Sequence, residues 1–153
     1  MAAGTDVREC PVARTLELVG EKWTLLAVRE LMLGNSRFEQ ITRYTGAPRD
    51  ILTTRLRKLE ANGLLERVPY QERPTRYEYR LTRLGWSLAP LLTMMRAWGD
   101  AHLAVPEGPS VEFVHSCGAS LKPVLHCAAC RQPLRAEDVR RVDPVGPGPD
   151  LSG

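Results

Sequence analysis

Four glycines divide the start of the chain into short segments, and this spacing limits the possible fold more than any other feature of the sequence. Gly20, Gly34, Gly46 and Gly63 each follow a stretch whose apolar residues recur at helical spacing. Glycine commonly ends helices because it adopts the left-handed backbone conformation without a steric penalty. We therefore expect four short helices in succession, each ended by a glycine.

Other residues predict where three of these helices begin. Pro11 and Pro48 suit a first helical turn, because the backbone N–H that proline lacks would be unpaired there. Ser36 and Glu39 have the spacing of a capping box, in which each side chain satisfies a backbone donor of the other residue. The fourth helix is expected to run from Pro48 to about Asn62.

An alternating segment after Gly63 predicts a β-hairpin. Leu64 to Val68 forms the first expected strand, and Arg76 to Leu81 alternates large apolar residues with charged ones. The polar segment from Gln71 to Thr75 is the expected turn. Two strands after a series of short helices give an α+β fold that is mainly α.

The apolar residues after the hairpin are spaced as in a coiled coil. Thr82 can cap a long helix from Arg83 to about Leu103, and Pro90 is expected to kink or split that helix. The spacing of 4, 3, 4, 3 is shared by Leu84, Leu88, Leu91, Met95 and Trp98. We expect this row to pair with a second copy of the chain. The alternative is that it packs into the core of its own chain.

Length and apolar patterning indicate a cytoplasmic protein. The 153 residues suffice for one domain with a small appendage. The segment from Met1 to Pro11 lacks the apolar run of a signal peptide, and no stretch reaches the roughly 18 apolar residues that cross a bilayer. We expect no membrane partner. In the reducing cytoplasm, four cysteines are better explained as metal ligands or reactive thiols than as disulfides.

Charge is concentrated in the middle of the chain. From Gly34 to Arg83 there are eleven Lys and Arg against six Asp and Glu, whereas the whole chain carries a net charge of only +3. A basic segment of this kind favours a polyanionic partner such as double-stranded DNA. An ordinary solvated surface would carry the same charges, so the charge alone does not decide between them.

The helix from Pro48 to Asn62 has the pattern of a recognition helix. Its leucines lie within one narrow arc and its polar residues lie opposite, as a helix in the major groove requires. Three short helices, a hairpin and a basic hairpin tip, in this order, predict a winged helix-turn-helix. The candidate DNA-binding residues are Arg49, Asp50, Thr53, Thr54 and Arg57 on the helix, and Arg73 and Arg76 at the hairpin tip.

Several motifs occur in an order that resembles one bacterial family. They are Cys10-Pro11, Gly20-Glu21-Lys22-Trp23-Thr24, the Arg55 to Glu60 segment before Gly63-Leu64, and the Tyr77 to Thr82 segment before Gly85. In this order they resemble the HxlR family of winged-helix transcriptional regulators, over roughly Cys10 to Trp98. The resemblance implies a homodimer paired through the first and last helices of the domain, a palindromic operator, and no catalysed reaction.

Cys10 is a candidate redox sensor. It directly precedes Pro11 at the expected start of the first helix, where the helix dipole favours a thiolate, and Arg8 or Arg14 would strengthen that effect. Some relatives in the family sense oxidants or electrophiles through a cysteine at the matching place, which implies a redox or small-molecule effector. The alternative is an inert cysteine at the dimer interface.

The region from 111 to 142 is predicted to be a zinc-knuckle-like tail. Cys127-Ala128-Ala129-Cys130 presents two thiolates from one turn, and Cys117 with His115 completes four ligands for a structural zinc ion. Longer family members carry a similar cysteine-rich extension. Arg131 departs from the glycine that commonly follows the second cysteine of a knuckle, and His126 is disfavoured as a ligand because it adjoins Cys127. The alternative is a loosely ordered tail of reduced thiols.

The sequence thus predicts a sequence-specific DNA-binding regulator. Residues 1–104 form the DNA-binding and dimerisation domain, 105–110 a linker, 111–142 the zinc-binding tail, and 143–153 a disordered end rich in Pro and Gly. One alternative is a protein-interaction adaptor that uses the same fold without DNA. An enzyme is not expected, because the sequence places neither a base beside Cys10 nor an open metal position.

Overall fold

The computed structural model describes residues 10–103, 106, 111–140 and 142. The order of the elements along the chain is α1 (Pro11–Val19), α2 (Lys22–Met32), α3 (Phe38–Thr45), α4 (Arg49–Ala61), β1 (Leu65–Glu72), β2 (Thr75–Leu81), α5 (Arg83–Trp86) and α6 (Ala89–His102), followed by a short 3-10 turn (Ala136–Asp138). Four short helices therefore precede the hairpin, as the glycine spacing predicts. None of the helices among these residues is long and apolar enough to cross a membrane.

The core lies between α2, α3, α4 and the start of the hairpin. The three leucines of α4 that the pattern assigns to the inside, Leu52, Leu56 and Leu59, are each at most 1% exposed. They pack in one cluster with Ile41 of α3 and Val28 of α2. Burying one such side chain stabilises the fold by about 1.5–3 kcal/mol. The buried leucines fix which side of α4 faces outward.

Three of the four predicted glycine stops are confirmed by their backbone geometry. Gly34, Gly46 and Gly63 have φ angles of 90°, 71° and 71°, in the left-handed region. Gly20 ends α1 differently, with a helical φ of −72° and its N–H donating to the carbonyl of Leu16. A Cβ at Gly20 would lie 2.4 Å from that carbonyl oxygen, so glycine is needed there for space and not for φ.

The capping box before α3 lies one residue later than the spacing of Ser36 and Glu39 predicts. The backbone N–H of Arg37 donates to Oε1 of Gln40 at 3.0 Å, so Arg37 is the N-cap in place of Ser36. The Ser36 carbonyl instead accepts the N–H of Tyr79 at 2.8 Å, and Arg37 pairs with Glu78 as an isolated bridge. Ser36 is thus held by β2, and the helix begins only after this pairing ends.

The hairpin is longer and its turn tighter than predicted. β1 and β2 are antiparallel, from the Leu65–Leu81 pair at the base to the Glu72–Thr75 pair at the tip, with an irregularity between Pro69 and Gln71. Gln71 and Glu72 continue the first strand, although their polarity indicated a loop. Only Arg73 and Pro74 remain between the strands.

The predicted long helix from Arg83 to Leu103 is two helices. The split expected from Pro90 occurs just before it, between α5 and α6, and Pro90 occupies the first turn of α6, where its missing N–H leaves no hydrogen bond unmade. Leu88 packs against the core, whereas Leu84, Leu91 and Met95 are exposed. The coiled-coil row is therefore divided between the core and the surface.

By its contacts the chain divides into two compact units, Met1–Arg96 and Ala97–Gly153. In the second unit, Val114 bridges Ser120 and His126 bridges Pro133, which closes two small turns. The predicted disordered end at 143–153 lies outside the described residues, and of the predicted linker at 105–110 only Pro106 is described.

Candidate nucleic-acid interface

The outer side of α4 presents a polar row. Asp50, Thr54 and Arg57 are exposed, and Thr53 is half-buried beside them. Within the described part of the chain, no carboxylate lies within ion-pair distance of Arg57. The buried leucines on the other side hold this row outward, so the helix can enter a groove without disturbing the core.

The two threonines are oriented by their own helix. Thr53 Oγ1 donates to the carbonyl of Arg49 at 2.8 Å, and Thr54 Oγ1 donates to the carbonyl of Asp50 at 3.0 Å. With its proton used inside the helix, the Thr54 hydroxyl offers an acceptor and a methyl group outward. These groups suit an amino group or a thymine methyl at the edge of a base.

Arg49 is engaged within the protein. Its guanidinium donates two hydrogen bonds to the Glu39 carboxylate, at 2.8 and 2.7 Å, and lies over the ring of Phe38. The hydrogen bonds from Arg49 hold the pKa of Glu39 below its ordinary value. This pair joins the starts of α3 and α4, the two helices of the helix-turn-helix.

The hairpin tip carries the two predicted basic residues. Arg73 lies in the turn and Arg76 on β2, and both are exposed. At the base of the hairpin, Arg67 Nε donates to Glu60 of α4 at 3.0 Å, and this hydrogen bond raises the pKa of Arg67. The bond joins the base of the wing to the end of α4.

Arg37 is a candidate phosphate-binding residue that sequence reasoning missed. It is exposed at the N-cap of α3, and its guanidinium lies 4.6 Å from the ring centre of Tyr70 on β1. The stack joins the helix-turn-helix to the wing across 33 positions of sequence. In the sequence, the only indication of this role is a basic residue just before a short helix. The fold shows in addition that Arg37 lies beside the wing.

Cys10 caps α1, as its place before Pro11 predicts. It is half-buried, and its Sγ accepts the N–H of Ala13 at 3.3 Å. Arg8, which was expected to assist the thiolate, lies outside the described residues.

The predicted zinc ligands form two local pairs. The Cys127 thiol accepts backbone N–H bonds from Cys130 and Ala129, which lower its pKa. The backbone N–H of Cys117 donates to Nδ1 of His115 at 3.3 Å. Across residues 10–103, 106, 111–140 and 142, no three His, Cys, Asp or Glu side chains come together as a metal-binding group. Each pair is formed, but the structure does not bring the two pairs together.

The turn at Cys130 closes through a residue with a positive φ, although that residue is not glycine. Arg131 adopts a positive φ of 59°, the conformation for which glycine is usual. Its N–H donates to the Cys127 carbonyl at 2.8 Å, and the Cys127 N–H donates to Gln132 at 2.9 Å. At the other turn, Gly118 has a φ of 87° and donates to the His115 carbonyl at 2.8 Å. In both turns the residue after the second candidate ligand has a positive φ and donates to the carbonyl of the first, but the second turn is one residue shorter.

Curated relatives are transcriptional regulators. The chain is 46% identical over 138 residues to an uncharacterised HTH-type transcriptional regulator of Mycobacterium tuberculosis, covering 90% of this chain and 86% of that protein. An uncharacterised HTH-type transcriptional regulator of Bacillus subtilis, YdeP, is 35% identical over 98 residues, which are 63% of this chain and 77% of that protein.

Solved structures show the same fold. The crystal structure of PA1607, a proposed transcription factor, superposes with a TM-score of 0.75 at 37% identity, covering 88% of this chain and 94% of that one. The oxidised redox regulator HypR superposes with a TM-score of 0.58 at 35% identity, covering 63% and 100%. Residues 18–108 match the HxlR-like helix-turn-helix family. The chain therefore belongs to the HxlR family and is a DNA-binding transcriptional regulator.

Proposed function

We propose that the protein binds a palindromic operator as a homodimer, with α4 of each protomer in a major groove. The observation that carries this proposal is the exposed row of Asp50, Thr54 and Arg57 on a helix whose opposite side is buried. Arg73 and Arg76 at the hairpin tip are placed for the flanking backbone or minor groove. The protein acts by controlling transcription and catalyses no reaction.

Exposed apolar side chains of the first unit support dimerisation through α1 and α6. Val12 and Leu16 of α1 are 67% and 57% exposed, and Leu91 and Met95 of α6 are 40% and 50% exposed. Apolar side chains of this size, on helices at both ends of one domain, favour burial against a second copy. A two-fold dimer would place its recognition helices about 34 Å apart, one turn of DNA.

Sedimentation equilibrium tests the dimer and its operator complex together. We expect about twice the 17.1 kDa chain mass at micromolar concentration, and two chains on each palindromic duplex selected from random sequence. The double variant with Leu16→Asp and Leu91→Asp should be monomeric and should no longer select palindromic duplexes. The matched control is Thr15→Asp, a charge on the exposed side of α1 at a polar position. A wild-type monomer that binds one half-site as tightly as the palindrome would refute the dimer.

We propose that Cys10 makes operator binding responsive to oxidants. The half-buried thiol caps α1, so its oxidation by a hydroperoxide to a sulfenic acid, with release of an alcohol or water, would enlarge and alter the acceptor that binds the Ala13 N–H. The similarity to HypR, a redox regulator, supports this assignment. The operator titration, repeated after hydrogen peroxide, should show a shift that Cys10→Ser abolishes. An equal shift in Cys10→Ser would exclude Cys10 as the sensor.

We propose that the tail binds one structural zinc ion through Cys117, Cys127, Cys130 and His115. The positive-φ closure that the two turns share supports the proposal, as do the N–H bonds that favour a thiolate at Cys127. The Nδ1 atom of His115 already accepts a hydrogen bond, which leaves Nε2 for the metal. For all four side chains to bind one zinc ion, the turn that carries His115 and Cys117 must move towards the turn that carries Cys127 and Cys130. No described residue from 111 to 140 is buried, so a metal would supply stability that the tail lacks.

Metal analysis of protein purified without chelator tests the zinc proposal. We expect one zinc per chain, lost in Cys127→Ser and retained in Ser116→Ala, a control within the first turn. A chain truncated after Pro109 should keep its operator affinity, because the DNA-binding residues lie in the first unit. Substoichiometric zinc that Cys127→Ser leaves unchanged would rule the site out.

A further inference from the structure

Helix α1 is held to the rest of its unit mainly at its last turn. Val19 is its buried residue, Ala13 and Leu18 are half-buried, and its other residues are exposed. The side chains that anchor a helix restrict its orientation only where they make contact. The position of α1 relative to α4 therefore depends on the contacts that the last turn of α1 makes, near Val19.

Two basic residues of α4 contact that end of α1. Lys58 Nζ donates to the carbonyl of Glu17 at 2.6 Å. This carbonyl lies in the last turn of α1, where helical carbonyls lack partners within the helix and where the helix dipole favours a cation. Lys58 therefore caps α1 from the recognition helix.

The second contact is an ion pair at the junction of α1 and α2. Arg55 Nη2 lies against Oε2 of Glu21, the N-cap residue of α2, and Lys58 Nζ lies 3.9 Å from Oε1 of the same carboxylate. The Arg55 side chain is only 21% exposed, and its Nε is buried with no hydrogen-bond partner among the residues that the structure describes. The Glu21 carboxylate thus balances the positive charge of the largely buried Arg55 guanidinium. Removing Glu21 would leave that charge unpaired, which destabilises the fold.

Arg55 lies on a different side of α4 from the DNA-facing row, and Lys58 lies at the edge between the two, one turn after Thr54. Arg55 is half-buried between the core and the surface, whereas Thr54 and Arg57 are exposed. One side of α4 thus faces the groove and another holds α1. In the proposed dimer, α1 is fixed by the partner protomer and α4 by the DNA, so the contact between them sets the separation of the two recognition helices.

We propose that Glu21, Arg55 and Lys58 form a latch that positions α4 against α1 and thereby selects the spacing of operator half-sites. The proposal rests on the dimer and the α4 interface described above. The latch residues are positioning residues that touch no base.

Two measurements on Glu21→Gln test the latch, with Lys58→Met as an independent second variant. Hydrogen exchange of the α1 amides, without DNA, should be faster in both. Selection from duplexes whose half-site centres differ by single base pairs should show a preference for one spacing in the wild type. In both variants that preference should fall about tenfold, or about 1.4 kcal/mol, while binding to a single half-site is unchanged in Glu21→Gln.

Glu17→Gln is the matched control, because it makes the same charge change one turn earlier and keeps the carbonyl that Lys58 binds. In this control, hydrogen exchange of the α1 amides and the preference for one half-site spacing should both match those of the wild type. Unchanged exchange of α1 in Glu21→Gln and Lys58→Met would overturn the latch, and so would faster exchange with an unchanged spacing preference. A wild type that binds no duplex, or binds all spacings equally, would instead overturn the proposed function.

Discussion

Replacing Gly85 by alanine should destabilise the first unit by about 3 kcal/mol. A Cβ at this position would lie 2.0 Å from the carbonyl oxygen of Leu64 and 2.9 Å from a methyl group of Leu81. The Leu64 carbonyl already accepts the N–H of Thr82 at 3.0 Å, and Thr82 caps α5 through the N–H of Gly85. The strand and α5 would have to separate, because backbone atoms cannot move aside as a flexible side chain can.

Thermal unfolding followed by circular dichroism measures this effect. We expect a Tm lower by roughly 12 to 24 °C, given about 4–8 °C for each kcal/mol in a domain of this size. The matched control is Gly99→Ala in α6, where a Cβ meets nothing within 4 Å, and which should raise stability by up to about 1 kcal/mol. An unchanged Tm in Gly85→Ala would show that α5 does not pack against Leu64 as described.

Thr54→Ala and Arg57→Ala should each weaken operator binding by about 1–3 kcal/mol, or roughly 5- to 150-fold, without loss of stability. Both side chains are exposed, and neither makes a tertiary contact that the fold needs. A base contact would relax sequence preference at one position of the site. A phosphate contact would weaken all sequences alike and lower the salt slope by about one.

Titration of fluorescent operator duplex at several salt concentrations distinguishes these outcomes. Arg83→Ala is the control, because it removes the same charge from an exposed position at the start of α5, at the opposite end of β2 from the hairpin tip. It should change affinity little. If Thr54→Ala and Arg57→Ala both bind the operator as the wild type does, the outer side of α4 is not the recognition surface.

Local patterns in the sequence predicted the helices and the strands. The spacing of Leu52, Leu56 and Leu59 gave the buried side of α4, and therefore its outward side, because burial follows helical period directly. The stops at Gly34, Gly46 and Gly63 follow equally from local backbone chemistry. The DNA-binding residues assigned to α4 and the hairpin tip stay predictions until binding is measured.

Contacts between distant residues could not be predicted in this way. The bond from Tyr79 to Ser36 moved the start of α3 by one residue, since pairing with β2 outweighed the serine's capping preference. The Arg49–Glu39 pair and the Arg55–Glu21 pair likewise depend on how the helices pack. Patterns along the chain show charge and period, but not which opposite charge lies nearest in space.

The ion pair of Arg49 with Glu39 changes how the affinity for DNA should depend on salt. Two of the five N–H donors of Arg49 are directed at a carboxylate 2.8 and 2.7 Å away, so a phosphate that binds Arg49 meets a charge that is already partly neutralised. Counterion release, which drives polyanion binding, is then smaller than the number of basic side chains at the interface implies. In the free protein Glu39 partly neutralises Arg49, which weakens the attraction of this arginine for other polyanions.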